Sequence, residues 1–270
     1  MENTVSFYKM VASGNDFAVV DNRRQIIKDA TAFARSVCRP HLGIAADGVL
    51  LFESSKKAHF RMRILNPDGS EAAACGNGFR CIALYAHEVL KYSSNMRFES
   101  GSGIVEGRVG PKGVVKVQLV KPKIFEMDGT IEVQGNRLHY SFLDTGVPHA
   151  VIFAEGLPKI EVVEIGRAIR NHAHFQPFGT NVNFVEVKSK REIAVRTYER
   201  GVEDETLACG TGSTASAIMS VLKGYAESPV NVRTRGGEVL RVESVKKGKE
   251  IERVFLEGKA QFVYKGEYFL

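Results

Sequence analysis

The sequence has few cysteines, only Cys38, Cys75, Cys81 and Cys209 among 270 residues. No two of them form a Cys-x-x-Cys pair, and their irregular spacing does not indicate a disulfide framework. In a reducing compartment all four are expected to be free thiols. The number and spacing of the cysteines therefore do not show which of the four thiols are reactive.

Long apolar runs are also missing. No stretch approaches the roughly 18 consecutive apolar residues that a transmembrane helix needs. Residues 1–4 lead directly into a predicted strand, without the apolar segment of a signal peptide. These features predict a cytoplasmic protein that does not act on membranes.

Basic residues are in modest excess, with a formal net charge of +6. Such a balance suits either nucleic acid or small anions such as carboxylates. The basic residues are scattered, and their one dense cluster, Lys246, Lys247 and Lys249, flanks Gly248 in a predicted turn. The pattern favours a solvated turn and a small-molecule partner over nucleic acid.

The chain length predicts one large or two medium domains. Short β-rich runs broken by Gly, Asp and Asn dominate, and 60–65, 114–120 and 193–198 are typical predicted strands. The last predicted helix is apolar nearly all round, which is typical of a buried helix. The predicted helices cover 30–38, 76–90, 163–171 and 210–222.

An internal repeat organises the sequence. Residues 71–78 (EAAACGNG) align with residues 205–212 (ETLACGTG), and five of the eight positions are identical. Each block follows a predicted strand that carries an arginine, Arg63 or Arg196. Because the two copies lie about half a chain apart, duplication explains them better than chance. We infer two similar α+β domains, each with one cysteine, that face one another across a cleft.

Both cysteines precede a Gly-x-Gly segment that opens a predicted helix. A helix N-terminus carries partial positive charge and unpaired N–H groups, so the pKa of each thiol is expected to be lowered. Gly76-Asn77 and Gly210-Thr211 would form small anion sites suited to a carboxylate. If both helix N-termini bind the carboxylate of one substrate, one thiolate could remove the α-proton while the opposite thiol delivers a proton.

Other interpretations of these residues remain open. A cysteine taken alone is more often a small buried hydrophobe, and Cys38 and Cys81 keep that interpretation. A zinc site with Cys75 and Cys81 has the wrong spacing for a zinc finger and lacks a histidine pair. A nucleophilic hydrolase using Cys75 and His149 leaves the second block unexplained. A non-catalytic amino-acid-binding protein is the alternative from outside the enzymes.

The motifs resemble those of the diaminopimelate epimerases. The first signature matches Asn66-Pro-Asp68-Gly69 through Cys75-Gly76-Asn77-Gly78, and the second matches Tyr198-Glu199-Arg200-Gly201 through Cys209-Gly210-Thr211-Gly212. Further matches span almost the whole chain, at 14–17, 43–48, 148–149, 180–182 and 256–260.

The resemblance implies a fold and an activity. The fold would be α+β, with two pseudo-symmetric domains, each a mainly antiparallel sheet around a central helix, and the active site in the cleft between them. The C-terminal strand would return to the first domain, so the domains would be 1–120 with about 259–270, and 121–258. The implied activity converts LL-diaminopimelate to the meso form in lysine biosynthesis, with no pyridoxal phosphate or metal, in a homodimer.

The resemblance also implies residue roles. Cys209 would accept the proton of the LL substrate and Cys75 would donate, with the roles exchanged in reverse. His149 would support Cys75, and Glu199 would support Cys209 and contact substrate. The substrate-binding residues would be Asn15, Asn66, Gly76, Asn77, Asn181, Glu199, Arg200, Gly210 and Thr211.

Three positions depart from the family pattern, and the first of them removes an amide contact to the substrate's non-reacting end. Val147 stands where the family often has Asn, Gly48 stands where it often has Gln, and 201–205 contains one extra residue. None involves the two thiols. They leave open a related racemase, also independent of pyridoxal phosphate, that acts on another amino acid.

Overall fold

The computed structural model describes residues 4–248 and 250–270, so residues 1–3 and Lys249 of the basic cluster lie outside the described residues. The chain divides into two compact units. Unit 1 contains the chain up to Gln118 together with Gly258–Leu270, and unit 2 contains Leu119–Glu257. Within the described residues, no helix is long and apolar enough to cross a bilayer.

Unit 1 places its sheet between two helices. Helix α2 packs on β1, β2, β3 and β7, whereas α1 packs on β3 and β4. Strand β3 is buried over Gly48–Phe52 because helices cover it from both faces. The elements are β1 (Thr4–Ala12), β2 (Asn15–Asp21), α1 (Ala30–Val37), β3 (Gly48–Glu53), β4 (Phe60–Leu65), β5 (Glu71–Ala72), α2 (Gly76–Glu88), β6 (Asn95–Ser100), β7 (Gly103–Val109) and β8 (Val114–Leu119).

Unit 2 repeats the element order of unit 1 after one additional strand. Helix α4 packs on β10 to β13, β15 and β16, whereas α3 packs on β9 and β12 to β14. The chain then returns to unit 1 as its last strand. That last strand is β18 (Gln261–Phe269). The elements before it are β9 (Lys123–Val133), β10 (Asn136–Asp144), β11 (Pro148–Phe153), α3 (Val162–Arg170), β12 (Asn181–Ser189), β13 (Glu192–Glu199), β14 (Asp204–Thr206), α4 (Gly210–Leu222), β15 (Val230–Arg233), β16 (Val239–Lys247) and β17 (Glu250–Lys259).

The strand pairings inside the two units correspond one to one. In unit 1, β2 is parallel to β3 and β4 is parallel to β6. In unit 2, β11 is parallel to β12 and β13 is parallel to β15. The antiparallel pair of β18 and β1 corresponds to that of β9 and β10. The duplication read from the cysteine motifs therefore extends to the whole pairing pattern.

The strand registers assign equivalent residues in the two repeats. The first β2–β3 pair corresponds to the first β11–β12 pair, and the β4–β5 register corresponds to that of β13 and β14. Counting from these pairs aligns the residues near the cysteine helices. The equivalent positions are Asn15 and Val147, Phe17 and His149, Gly48 and Asn181, Leu50 and Asn183, Ile64 and Thr197, and Asn66 and Glu199.

Helix α4 buries hydroxyl side chains as well as apolar ones. Thr214, Ser216 and Ser220 each donate a 2.8 Å hydrogen bond to the carbonyl four residues earlier. This local bonding satisfies polar groups that would otherwise be costly to bury. The helix ends where predicted, at Leu222, and Gly224 follows in the left-handed region at φ 73°.

Candidate active site

Cys75 and Cys209 are the N-cap residues of α2 and α4. Each sulfur accepts a hydrogen bond from the backbone N–H three residues later, at Gly78 or Gly212, over 3.4 Å. Both caps have extended backbone, with φ and ψ of −154° and 110° at Cys75 and −117° and 112° at Cys209. The sulfur thus takes the place of the side-chain oxygen of an ordinary N-cap.

The two thiols differ in their exposure to solvent. Cys75 is half-buried, whereas Cys209 is 6% exposed. The Cys209 sulfur also lies 3.4 Å from the Thr211 hydroxyl oxygen. The remaining N–H groups of each first turn have no partner inside their helix. Each unit therefore carries a thiol beside a cluster of backbone donors.

The expected low pKa is wrong for Cys209. Burial raises the pKa of this thiol to about 12, and the negative charge of Glu199 raises it further. Hydrogen bonds from Thr211 and from the Gly212 N–H act in the opposite direction but are outweighed. The helix N-terminus favours the thiolate, but removal of the sulfur from water disfavours it more.

Glu199 lies at the end of β13 and faces Cys209. Burial raises the pKa of its carboxyl, and hydrogen bonding from the Cys209 thiol partly opposes this rise. Because the Glu199 carboxyl and the Cys209 thiol are buried next to each other, ionisation of either one raises the pKa of the other. The contact between Glu199 and Cys209 joins two residues that sequence reasoning had named.

Replacement of Glu199 by Gln should make Cys209 easier to deprotonate, because it removes the like charge that raises the thiol pKa. At pH 8 we expect Cys209 of Glu199→Gln to react faster with iodoacetamide than Cys209 of the unmodified protein. Peptide mass spectrometry measures the labelling rate, and Cys75 serves as the control because its rate should not change. A slower or equal rate at Cys209 would contradict the electrostatic coupling.

The Asn77 side chain is held at both ends in unit 1. Its Nδ2 donates to Asn15 Oδ1 over 2.6 Å, and its Oδ1 accepts from the guanidinium of Arg80. Asn15 in turn donates to Asp47 over 3.2 Å. Arg80 is completely buried and also donates to a hydroxyl and a backbone carbonyl of unit 1. Two predicted substrate ligands, Asn15 and Asn77, are thus positioned as a pair.

Arg80 was missed as a functional residue by sequence reasoning. The signal that could have found it is a charged residue between two apolar ones, Phe79 and Cys81, one turn after Asn77. Asn66, by contrast, is not part of this chain of hydrogen bonds. Its side chain is exposed and donates to the Ser70 hydroxyl over 2.9 Å, within the turn after β4.

Asn181 and Arg200 are brought together in unit 2. Asn181 Oδ1 accepts from the Arg200 backbone N–H over 2.9 Å, and its Nδ2 donates to the Pro148 carbonyl over 3.0 Å. The Arg200 guanidinium donates to the Phe178 carbonyl over 2.9 Å. The two predicted substrate ligands are therefore hydrogen-bonded to each other. The remaining N–H donors of the Arg200 guanidinium can still bind a carboxylate.

Two of the three departures from the family pattern occupy related positions. Val147 is equivalent to Asn15 of unit 1, and Gly48 is equivalent to Asn181 of unit 2. Unit 1 thus has a side-chain amide at the first of these two positions and none at the second, whereas unit 2 has none at the first and an amide at the second. The strand register prevents a simple side chain at Gly48, because a Cβ there would lie 2.8 Å from the Leu65 carbonyl oxygen.

His149 is completely buried in β11 of unit 2. Burial lowers the pKa of its ring to about 3, and the positive charge of Arg200 lowers it further. The ring is therefore neutral near pH 7. Its Nδ1 lies 3.0 Å from Asn183 Nδ2, and among the described residues no group is within hydrogen-bond distance of Nε2.

Cys38 and Cys81 are buried outside these caps. Cys38 follows α1 and is 4% exposed, and burial raises its pKa to about 11. Cys81 lies inside α2 without exposed surface, and burial also raises its pKa. In residues 4–248 and 250–270, no group of three or more His, Cys, Asp or Glu has an arrangement that could hold a metal ion.

Comparison with known sequences identifies the family. The family model for diaminopimelate epimerase matches residues 7–125 and 141–263. The diaminopimelate epimerase of Aquifex aeolicus (strain VF5) is 43% identical over 274 residues, which cover 97% of either chain. The chain belongs to the diaminopimelate epimerase family. The Chlorobaculum tepidum diaminopimelate epimerase is 39% identical over 260 residues, which cover 95% of this chain and 98% of that one.

Solved structures with the same fold extend beyond the diaminopimelate epimerase family. A hydroxyproline epimerase from Agrobacterium vitis superposes with a TM-score of 0.76 at 15% identity, covering 100% of this chain and 94% of that one. A Bacillus anthracis protein of the PhzF family reaches a TM-score of 0.77, also at 15% identity, covering 99% of both chains. The predicted α+β fold of two repeats is confirmed, as is the family that the cysteine motifs indicated.

Proposed function

We propose that the protein interconverts LL-diaminopimelate and meso-diaminopimelate, with Cys75 and Cys209 as its two acid–base groups and no cofactor. The main support is the repeated cap geometry, in which each sulfur accepts from a backbone N–H at 3.4 Å beside further first-turn donors. Membership of the family supports the substrate. A role in lysine biosynthesis, a cytoplasmic location and a homodimer belong to the same proposal.

The proton transfers follow from a thiolate and a thiol on opposite faces of one carbon. For the LL substrate, the Cys209 thiolate takes the α-proton, and its S–H bond forms as the C–H bond breaks. The Cys75 thiol then delivers its proton to the other face, which inverts the centre and leaves Cys75 as the thiolate. The two helix N-termini stabilise the charge that develops on the α-carboxylate. The reverse reaction exchanges the two roles.

Glu199 is proposed to accept the thiol proton of Cys209 once substrate is bound. The thiol of the free protein holds its proton, because its pKa is about 12. Glu199 faces that thiol and has a carboxyl pKa that is itself raised by burial. It is therefore a suitable acceptor for the thiol proton when substrate excludes water.

The non-reacting end of the substrate would be bound by polar groups of both repeats. We assign the distal carboxylate to the Arg200 guanidinium, which can bind it through two parallel N–H donors. Asn15, Asn66 and Asn181 would provide amide contacts. His149 would support Cys75, and Gly76-Asn77 and Gly210-Thr211 would hold the α-carboxylate through their backbone N–H groups.

The decisive experiment is turnover of LL-diaminopimelate in D2O, followed by NMR. We expect meso-diaminopimelate to form with deuterium at the inverted α-carbon. A panel of amino acids with one stereocentre, including histidine and hydroxyproline, is assayed in parallel. Preference for a member of the panel would support the related racemase instead, and absence of exchange with every substrate would support a non-catalytic binding protein.

A further inference from the structure

The two repeats differ sharply beneath their cysteine helices. In unit 1, three buried positions of the strands are apolar, with Phe17, Leu50 and Ile64 at most 4% exposed, and Leu50 lies under the first turn of α2. Their equivalents in unit 2 are polar and equally buried: His149 and Asn183 have no exposed surface, and Thr197 is 4% exposed. Burying polar groups costs free energy unless they are fully hydrogen-bonded. Since the apolar set suffices in unit 1, the polar set calls for another explanation.

Asn183 lies directly under the start of α4. A Cβ on Gly212 would lie 2.3 Å from Asn183 Oδ1 and 3.3 Å from the Cys209 sulfur, so only glycine allows this approach. The equivalent Gly78 faces Leu50 instead, and a Cβ on Gly78 would lie 3.2 Å from Leu50 Cδ2. The Asn183 amide is therefore packed against the first turn that Cys209 caps.

The orientation of the Asn183 amide is determined by its partners. Its Nδ2 donates to the Ala150 carbonyl over 3.1 Å, and its Oδ1 accepts from the Thr197 hydroxyl over 3.0 Å. A carbonyl can only accept, so the amide nitrogen must face Ala150. The flipped amide would place two oxygens against each other and lose that hydrogen bond.

This orientation decides the tautomer of His149. The second N–H of Asn183 Nδ2 points to His149 Nδ1, 3.0 Å away. Because the amide nitrogen donates, Nδ1 must carry a lone pair, and the proton of the neutral ring must lie on Nε2. Within the described residues Nε2 has no hydrogen-bond partner although it is buried.

We propose that Asn183 is a positioning residue that holds His149 as the Nε2–H tautomer, so that the ring presents a buried N–H donor to the group that it serves. On the proposed function, that group is the thiolate of Cys75 or a substrate acceptor. His149 then stabilises negative charge as a donor, and it does not remove a proton. A carboxylate in place of the Asn183 amide would reverse the polarity of Nδ1 and withdraw the donor.

The experiment is long-range ¹H–¹⁵N NMR of the histidine side chains at pH 7. His149→Phe, which introduces the residue of the equivalent position Phe17, identifies the His149 signals by their loss. We expect Nε2 to be protonated and Nδ1 to be unprotonated in the unmodified protein. Protonation of Nδ1 there would overturn the proposal. If His149→Phe does not fold, Asn183→Asp, which should shift the same signals, provides a second assignment.

The variants connect the tautomer to catalysis. In Asn183→Asp we expect Nδ1 to become protonated and kcat to fall by about 100-fold with little change in KM. Asn183→Leu copies the equivalent Leu50 and should lower kcat to a similar extent. The matched control Thr197→Val copies the apolar character of Ile64 and should keep the Nε2–H tautomer, because Asn183 still donates to Ala150.

The outcomes separate this inference from the proposed function. If Asn183→Asp keeps kcat and the original tautomer, the positioning role is wrong. If the unmodified protein shows the expected tautomer but epimerises no amino acid, the proposed function is wrong and the tautomer assignment stands. A tautomer change together with a fall in kcat supports both.

Discussion

Replacement of Cys75 or Cys209 by alanine is expected to lower the epimerisation rate by about 10³- to 10⁴-fold, because each thiol acts as a general acid or base. The double variant should lose no more than either single variant, since two groups that act as a unit are not additive. Rates are measured from LL-diaminopimelate by NMR. The control is Cys38→Ala, which removes a buried thiol next to α1 and should leave the rate within about twofold.

The two single variants should also differ in isotope exchange. In Cys75→Ala, Cys209 can still remove the α-proton of the LL substrate and return a deuteron to the same face. We therefore expect slow exchange of the LL isomer in D2O without inversion. Cys209→Ala should instead exchange the meso isomer. A rate above one tenth of normal in either variant, or the same exchange pattern in both, would rule out the two-thiol assignment.

Glu205→Gln is expected to have the largest effect on stability. The Glu205 side chain is 4% exposed and forms two hydrogen bonds to Arg196, of 2.6 and 2.7 Å, as well as an ion pair with Arg235. Glutamine leaves the two arginines without the carboxylate that they share. We expect a loss of about 3 kcal/mol, since removing one partner of a buried pair leaves the other charge uncompensated.

Unit 1 provides a matched control at the equivalent position. Glu71 pairs with Arg63 over 2.8 Å, but its side chain is 38% exposed. Because water and salt weaken exposed ion pairs, Glu71→Gln should cost less than about 1 kcal/mol. Thermal and urea unfolding of both variants in one buffer measures the difference. Equal losses would contradict the idea that burial, and not the pairing itself, determines the cost.

Local sequence was sufficient to predict the elements around the cysteines. The predicted helix 210–222 matches α4, and the predicted helix 30–38 differs from α1 by one residue. Helix α2 ends at Glu88, two residues before the prediction, because Val89 caps it and the chain turns. Glycine after the last turn and a capping side chain three residues before a backbone N–H are short-range signals.

Several strands were not predicted individually, including β9 and β10, which pair over nine or more residues each. Their sequences mix charged and apolar residues, and β9 contains Gly129, which sequence reasoning treats as a break. In the structure that glycine lies against the Tyr140 ring, where a Cβ would be 2.4 Å from it. Gly129 is therefore required for packing against the neighbouring strand, although in the sequence it resembles a turn residue.

By itself, the sequence determined the duplication, the two cysteine caps and the family, because each is recorded in short motifs whose own residues lie within a few positions of one another. Only the tertiary structure decided how the Cys209 thiol is tuned. Glu199 and Asn183 reach the α4 cap from two separate strands, and burial raises the pKa of Cys209 against the helix N-terminus. Desolvation depends on everything packed around a group, and no local pattern records it.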